Sequence, residues 1–417
     1  MTKEVVITGI GCVTPLGATV ERTWSGLMAG RSAIAPITRF DASKYPTTIA
    51  AEVRDLAPPK LTGRIARWTD DKSRFAITAV AEALADAGLV DGAVDPYRFG
   101  VSVGAEVSRP GISDIATSLN RVLTEGPKRA YRATDPKDFA VMSAFFPATV
   151  VSAYANARGP NLTTSTACTS SAQSIGDALR IIRRGDADVM LAGGTDRLVE
   201  ELMVMGFSLL GALSTTNEEP WRASRPFDRT RDGFVLGEGA GFVVLESADH
   251  ARARGARARA SLLGFGASAN AWRVTDSPPD GRGARRSMEN ALRDAQLRPD
   301  QINYINAHGT STQQNDASET AGIHGAFGDF AHSVPVSSTK SMMGHLVAAC
   351  GAVELITCIK AIETNTLPPT INYEVPDPAC DLDYVPNEAR PAQVDVAMTN
   401  AFGFGGSNGT LIVGRPN

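Results

Sequence analysis

The feature that most constrains this chain is that it repeats itself. Residues 81–89 (AEALADAGL) and 289–297 (ENALRDAQL) agree at five of nine positions, and each precedes an apolar stretch of strand character, Phe99–Val103 and Ile302–Ile305. The echoes continue in the same order. Pro160–Thr166 reads as an extended stretch entering a helix with Ile175, Ala178, Leu179 and Ile182 on one face. Its counterpart is Pro335–Thr339, entering a helix around Ala348–Ile359. ADVMLAGG (187–194) and VDVAMTNAFG (394–403) are apolar strands that end in glycine turns, and the opening TGIG has a faint match in LGFG at 263–266. One matched helix is weak evidence. Four ordered echoes predict a duplicated β-α-β-α-β unit, with residues 1–255 and 256–417 as the two copies, each a mostly parallel sheet covered by helices. Such halves stack into a layered α/β fold with reactive residues at strand-to-helix junctions near the seam.

Within this frame Val5–Thr8 is predicted as a strand ended by Gly9 and Gly11, and Lys72–Ala87 as a helix. Residues 135–157, apolar and containing Pro147, are expected to form a buried insertion or a subunit contact, and ARARGARARA (251–260) a solvated face. Composition excludes several classes. Lys and Arg number 41 against 45 Asp and Glu, a net charge of −4, which argues against nucleic acid as a partner. No apolar run approaches the ~20 residues that span a bilayer, so no membrane association is expected. MTKEVVITGIG enters a strand pattern at once instead of building a secretory signal, so a cytoplasmic location is expected. The five cysteines show no CxxC spacing, which indicates neither a zinc site nor a disulfide framework, and most are expected to be small buried residues. GEGAG (237–241) lacks the strand and helix context of a dinucleotide loop.

Cys168, in NLTTSTACTSSAQSIGDALR, falls between an extended stretch and a helix N-terminus, where unpaired N–H groups and the positive dipole end favour a thiolate. Its small neighbours Ala167, Thr169, Ser170 and Ser171 leave room for an acyl group. His308 follows INYINA in the segment HGTST, and His345 ends KSMMGH before the helix of the second repeat, five residues after Lys340. Singly, each of these reads equally well as a core residue or, for the lysine, a surface one. Together, a soft nucleophile and two imidazoles at equivalent ends of two repeats form a set suited to acyl transfer, with FGFGGSNG (402–409) as a turn whose N–H groups can bind an oxyanion.

At TACTSS, HGTST, STKSMMGH and NAFGFGGSNG the sequence resembles the β-ketoacyl-acyl-carrier-protein synthases, condensing enzymes of the thiolase superfamily, and the resemblance runs through essentially the whole chain. It implies a thiolase-like duplicated five-layered α-β-α-β-α fold. It also implies that Cys168 takes the acyl chain, that His308 and His345 assist decarboxylation of malonyl thioester, and that Lys340 orders the site with Glu354. Phe402, Asp316 and Glu319 would support the site. The Cys168 and Phe404 N–H groups would form the oxyanion hole, with the Phe404 ring as a gate. Thr310 and Thr312 would contact the phosphopantetheine arm delivered by the acyl carrier protein, and no bound cofactor or metal is implied. Val107 and Phe207 align by position near family acyl-pocket residues. Arg64, Arg67, Lys128 and Arg129 are candidate docking residues for the acidic carrier.

The family is dimeric, which implies a homodimer or a heterodimer with a chain-length-factor homologue. ALSTTNEEP and NAFGFGGSNG look like the fatty-acid elongation enzyme, whereas HGTSTQQND resembles the ketosynthase (alpha) subunit of type II polyketide synthases, and the mixture points to a ketosynthase making a reduced or polyene chain. The alternatives are a homodimeric fatty-acid elongation ketosynthase and a non-catalytic chain-length-factor subunit, the latter opposed by Cys168 with both histidines.

Overall fold

The computed structural model describes residues 3–89, 94–108, 112–133, 137 and 140–416. Its centre is a ten-stranded mixed sheet built from two five-stranded halves. The first half contains β1 (Val5–Val13), β2 (Phe99–Gly104), β3 (Asn161–Thr164), β4 (Val189–Asp196) and β5 (Gly239–Ser247). The second contains β6 (Ala260–Ala269), β7 (Tyr304–Asn306), β8 (Val336–Ser337), β9 (Val396–Phe402) and β10 (Ser407–Gly414). The order across the sheet is β8-β7-β9-β10-β6-β1-β5-β4-β2-β3, so the sequence of positions in one half is the mirror of the other about the β6–β1 joint. That joint is antiparallel and short, pairing Val6 with Ser261 and Ile7 with Ala260. Within each half only the fifth strand in chain order, β5 or β10, runs against its neighbours, in agreement with the mostly parallel expectation.

The helices repeat with the strands. α1 (Asp71–Asp86) lies on β1 and β5, and α3 (Arg282–Ala295) lies on β6 and β10, as equivalent outer layers. α2 (Ser170–Arg184) and α5 (Cys350–Thr364) pack on each other and on strands of both halves, forming the layer between them. Every residue from Cys350 to Ile362 is buried, which the all-round apolar sequence of α5 requires. The four residues expected on one face of α2, Ile175, Ala178, Leu179 and Ile182, are all in the core.

The first strand corrects an expectation: β1 runs through Gly9 and Gly11 to Val13. These glycines do not end it. They let α1 lie close, because a Cβ would stand 2.1 Å from the Ala83 carbonyl oxygen at Gly9 and 2.0 Å from that of Ala79 at Gly11. The Arg-rich stretch 251–260 is only half a solvated face. Arg252 and Arg257 are exposed, but Arg254 bonds Glu246 and Arg259 joins Asp86 and Glu363. Of the apolar 135–157 region, residues 135, 136, 138 and 139 lie outside the described residues. The remainder includes a helix, Phe146–Ala155, with Phe146, Val150 and Val151 buried. Among the described residues no helix is long and apolar enough to cross a membrane.

Candidate active site

Two strand-to-helix junctions meet at the middle layer. After β3 the chain turns through Ala167, held at φ 52, and a single 3-10 turn (Ala167–Thr169) delivers Cys168 just before α2. After β8 it makes the short helix Lys340–Met343, passes His345, turns through Val347 at φ 46 and a second 3-10 turn (Val347–Ala349), and enters α5. Positive φ in an alanine and a β-branched valine is costly backbone, and both turns adopt it at the same place. Gly194, near the end of β4, separates the two turns. A Cβ there would lie 2.6 Å from the Ala348 oxygen and 2.7 Å from the Ser171 Cβ.

The side chains converge. His345 Nε2 lies 3.0 Å from Cys168 Sγ. The His308 and His345 rings sit edge to face with centroids 5.2 Å apart, and His308 also meets the Phe402 ring at 5.7 Å. Cys168, His308 and His345 are buried yet line one cavity of about 390 Å³, together with Thr310, Thr312, Phe207 and Phe404. The Phe404 and Cys168 backbone N–H groups lie beside the Cys168 sulfur, where both act to lower its pKa. Lys340 and Glu354 form an ion pair, each 1% exposed. Burial alone would lower the lysine, but the Glu354 carboxylate more than offsets it, and Lys340 stays an ammonium.

The loop that carries His308 is fixed by carboxylates of α4 (Gln313–Phe327). Glu319 accepts from the His308 and Gly309 N–H groups at 2.9 and 2.8 Å, and Asp316 accepts from Thr310 and Ser311 at 2.9 and 3.1 Å. Burial raises Glu319 to about 7 against these bonds. The Thr310 and Thr312 hydroxyls are 2.9 Å apart on the cavity wall. Phe207 stacks on Phe404 at 6.1 Å, and Val107, 42% exposed, lies on the lining. Arg67, Lys128 and Arg129 are exposed and do not line the cavity; the Arg64 side chain lies outside the described residues.

Electrostatics correct the sequence reading of the nucleophile. In the resting chain burial pushes the Cys168 thiol up to about 12, outweighing the Lys340 charge and the two N–H groups, so the helix terminus does not by itself yield a thiolate. Burial first, and then the Lys340 ammonium, hold His308 and His345 well below the ordinary histidine value, so both are neutral. Their tautomers matter, and for His345 the Val347 N–H donates to Nδ1 at 3.2 Å, which places the ring proton on Nε2, toward Cys168. His308 Nδ1 is buried with no partner among the described residues. The donor atoms of Cys168, His308 and His345 lie within 4.8 Å of one another, close enough to share a metal ion. The Lys340 charge acting on all three sides against that use and favours neutral acyl and proton chemistry.

Sequence reasoning missed two residues. Glu106, at the end of β2, accepts from the Ala167 N–H at 2.8 Å and from the Ser165 and Ser170 hydroxyls, clamping the turn that presents Cys168. A lone acid in the small-residue run SVGAEVS after a buried strand was the available signal. Cys350, expected as one more buried small residue, lies with Sγ 3.0 Å from His345 Nδ1.

Comparison with known proteins assigns the chain to a family. Residues 2–251 match the family model described as Beta-ketoacyl synthase, N-terminal domain, and residues 259–374 match Beta-ketoacyl synthase, C-terminal domain. The chain is 46% identical to 3-oxoacyl-[acyl-carrier-protein] synthase 2 of Coxiella burnetii over 99% of both chains. It is 43% identical to the tetracenomycin polyketide synthase ketoacyl synthase alpha subunit of Streptomyces glaucescens, over 99% of this chain and 97% of that one. Among solved structures, a β-ketoacyl synthase from Burkholderia phymatum superposes with a TM-score of 0.91 at 36% identity, and the ishigamide ketosynthase/chain length factor with 0.89 at 36%, each covering 100% of both chains.

Proposed function

Because the chain belongs to the β-ketoacyl synthase family and is an acyltransferase of that class, we propose that Cys168 is the acyl acceptor and that His308 and His345 act on the malonyl thioester. The half spanning residues 1–255 then supplies the nucleophile, and the half spanning 256–417 supplies both imidazoles. The observation that carries this reading is the convergence of one thiol and two neutral imidazoles on a cavity that also holds the Cys168 and Phe404 N–H groups.

The steps follow from those groups. Cys168 Sγ attacks the carbonyl of an acyl thioester carried on a phosphopantetheine arm, and the oxyanion is held by the Cys168 and Phe404 N–H groups. The carbon–sulfur bond to the arm breaks, and the thiol proton of Cys168 ends on the departing sulfur, so no strong base is needed. Malonyl thioester then loses CO2. The released electron pair forms an enolate whose oxygen accepts Nε2–H bonds from the two histidines, which must be neutral to donate from a fixed tautomer. The enolate carbon attacks acyl-Cys168, releases the sulfur and leaves a 3-oxoacyl thioester on the carrier. One proton is taken up overall, returning Cys168 to its thiol. Burial, reinforced by the Lys340 charge, holds both histidines neutral, with Glu354 as the counter-ion of the lysine. Thr310 and Thr312 hold the arm, the Phe404 ring gates the cavity by stacking on or leaving Phe207, and Val107 with Phe207 bounds the acyl chain. The acyl carrier protein docks through Arg67, Lys128 and Arg129.

For the pathway, the HGTSTQQND segment and the likeness to a polyketide ketosynthase alpha subunit support a type II polyketide ketosynthase making a reduced or polyene chain and paired with a chain-length-factor homologue. The 46% identity to a 3-oxoacyl synthase 2 supports the second reading, a homodimeric fatty-acid elongation enzyme. The edge strand β3 and the exposed row Ile115, Leu119, Val122 and Leu123 on the helix Ile112–Glu125 offer a partner surface to either. The experiment is intact-mass analysis after exposure to acyl- and malonyl-carrier thioesters, with the chain alone and co-expressed with its genomic neighbour. Elongation by the chain alone supports the homodimer, and elongation only with a cysteine-lacking homologue supports the heterodimer. An adduct on any residue but Cys168 overturns both.

A further inference from the structure

We propose that Cys350 is a positioning residue of the condensation: its thiol donates to His345 Nδ1 and, with the Val347 amide, keeps the ring proton on Nε2, the face that meets Cys168. The inference rests on the reading of His345 as a hydrogen-bond donor in the reaction. Cys350 Sγ is 3.0 Å from Nδ1 on one side of the imidazole, while Cys168 Sγ is 3.0 Å from Nε2 on the other, so the ring is held between two sulfurs. The Val347 N–H, 3.2 Å from Nδ1, can only donate, which makes Nδ1 an acceptor and fixes the direction of the Cys350 contact as S–H to nitrogen. Burial raises the Cys350 thiol well above its ordinary value, so it stays protonated and able to donate.

The duplicated fold supplies an internal control. The residue equivalent to Cys350, first in the helix of the other repeat, is Ser170. Ser170 Oγ accepts from the Thr166 N–H at 2.9 Å and shares its hydrogen between the Ala167 oxygen at 2.7 Å and Glu106 Oε1 at 3.2 Å, a clamp on the turn that precedes it. In the second repeat Leu346 takes the place of Thr166. There the hydrogen of the first helical residue is directed at the catalytic imidazole instead of the turn.

A thiol donor to Nδ1 stabilises the neutral imidazole, so its loss raises the His345 pKa. In the wild-type chain the histidines are held below the ordinary value, and the acid limb of the condensation rate falls below pH ~6.5. The test uses full-length Cys350→Ala and Cys350→Ser, measuring kcat and KM for condensation across pH, with acylation of Cys168 followed separately by intact mass. For Cys350→Ala the expectation is a kcat lower by about 3- to 10-fold, the effect of one lost hydrogen bond, an unchanged KM for the carrier substrate, and an acid limb moved to higher pH. Cys350→Ser, a hydroxyl donor of nearly the same shape, restores both. An alanine variant with wild-type kcat and acid limb overturns the proposal, as does a serine variant as impaired as alanine with an unmoved limb. His345→Ala is the companion variant. If it condenses normally, the reading of His345 fails; if it is inactive while Cys350→Ala is unimpaired, only the role of Cys350 fails. Should Cys350→Ala prove unstable by thermal denaturation, the pH profile of Cys350→Ser decides alone: a displaced acid limb with lowered kcat overturns the proposal, and a wild-type profile supports it.

Discussion

The two strand-to-helix junctions share a backbone and divide the chemistry. Both place a positive-φ residue, Ala167 or Val347, ahead of a 3-10 turn and a long middle-layer helix. Residue by residue, Cys168 corresponds to Ala348 and Ser170 to Cys350. What differs is the approach. The first junction runs straight from Thr164 to Ala167, while the second spends Ser338 to Leu346 on a short helix and a loop that carry Lys340 and His345. Duplication has kept the frame, which is fixed by close backbone contacts, and released the side chains. In the proposed reaction one copy presents the nucleophile and the other the imidazoles that act on the malonyl thioester.

Substitutions that make one junction resemble the other test this division. Cys168→Ala, which installs at the first junction what the second has at Ala348, should remove the acyl adduct in intact-mass spectra and lower condensation at least about 10³-fold; an adduct that persists would overturn the nucleophile. Cys168→Gln is the sharper companion, since it removes the acceptor while leaving decarboxylation of malonyl thioester measurable as CO2 release. His308→Ala strips an imidazole from the second half only. Decarboxylation should fall on the order of 10²–10³-fold while acylation of Cys168 continues, and equal loss of both would contradict the division of labour.

Lys340→Met leaves Glu354 buried without its partner, and unfolding by denaturant should show a loss of about 3–5 kcal/mol. Loss of the ammonium also raises the pKa of both histidines, because it removes a repelling charge. The smallest effect is expected from Ser170→Cys, which copies the second junction into the first. It weakens the clamp on Thr166 and Ala167, and about 1 kcal/mol of stability should go, with a few-fold slower acylation.

Much of this was legible in the sequence for identifiable reasons. Repeated helices and strands leave a periodic apolar pattern, so the pairing of 81–89 with 289–297 led to the two halves. The convergence of Cys168, His308 and His345 on one cavity was legible because a Cys and two His fell at strand-to-helix junctions of the two repeats. Contacts between distant segments were not. Gly9 and Gly11 looked like strand terminators because nothing in the neighbouring residues says that α1 will lie on them. The rise of the Cys168 pKa depends on enclosure by several separate segments, while the helix terminus that would lower it is local. Glu106 reaches Ala167 from 61 positions away, and Cys350, though only five positions from His345, meets that ring through the turn between them; no motif marks either.

The short β1–β6 joint has a consequence for synthesis. Val6 and Ile7 find their partners Ser261 and Ala260 only after some 250 further residues have been made. Until the second half follows, the first half has its β1 edge free as well as the outer edge at β3, and the face of α2 that will meet α5 is uncovered. Free edges and uncovered apolar faces are where chains misassociate, so the interval between the two halves leaving the ribosome is when this protein is most exposed to aggregation.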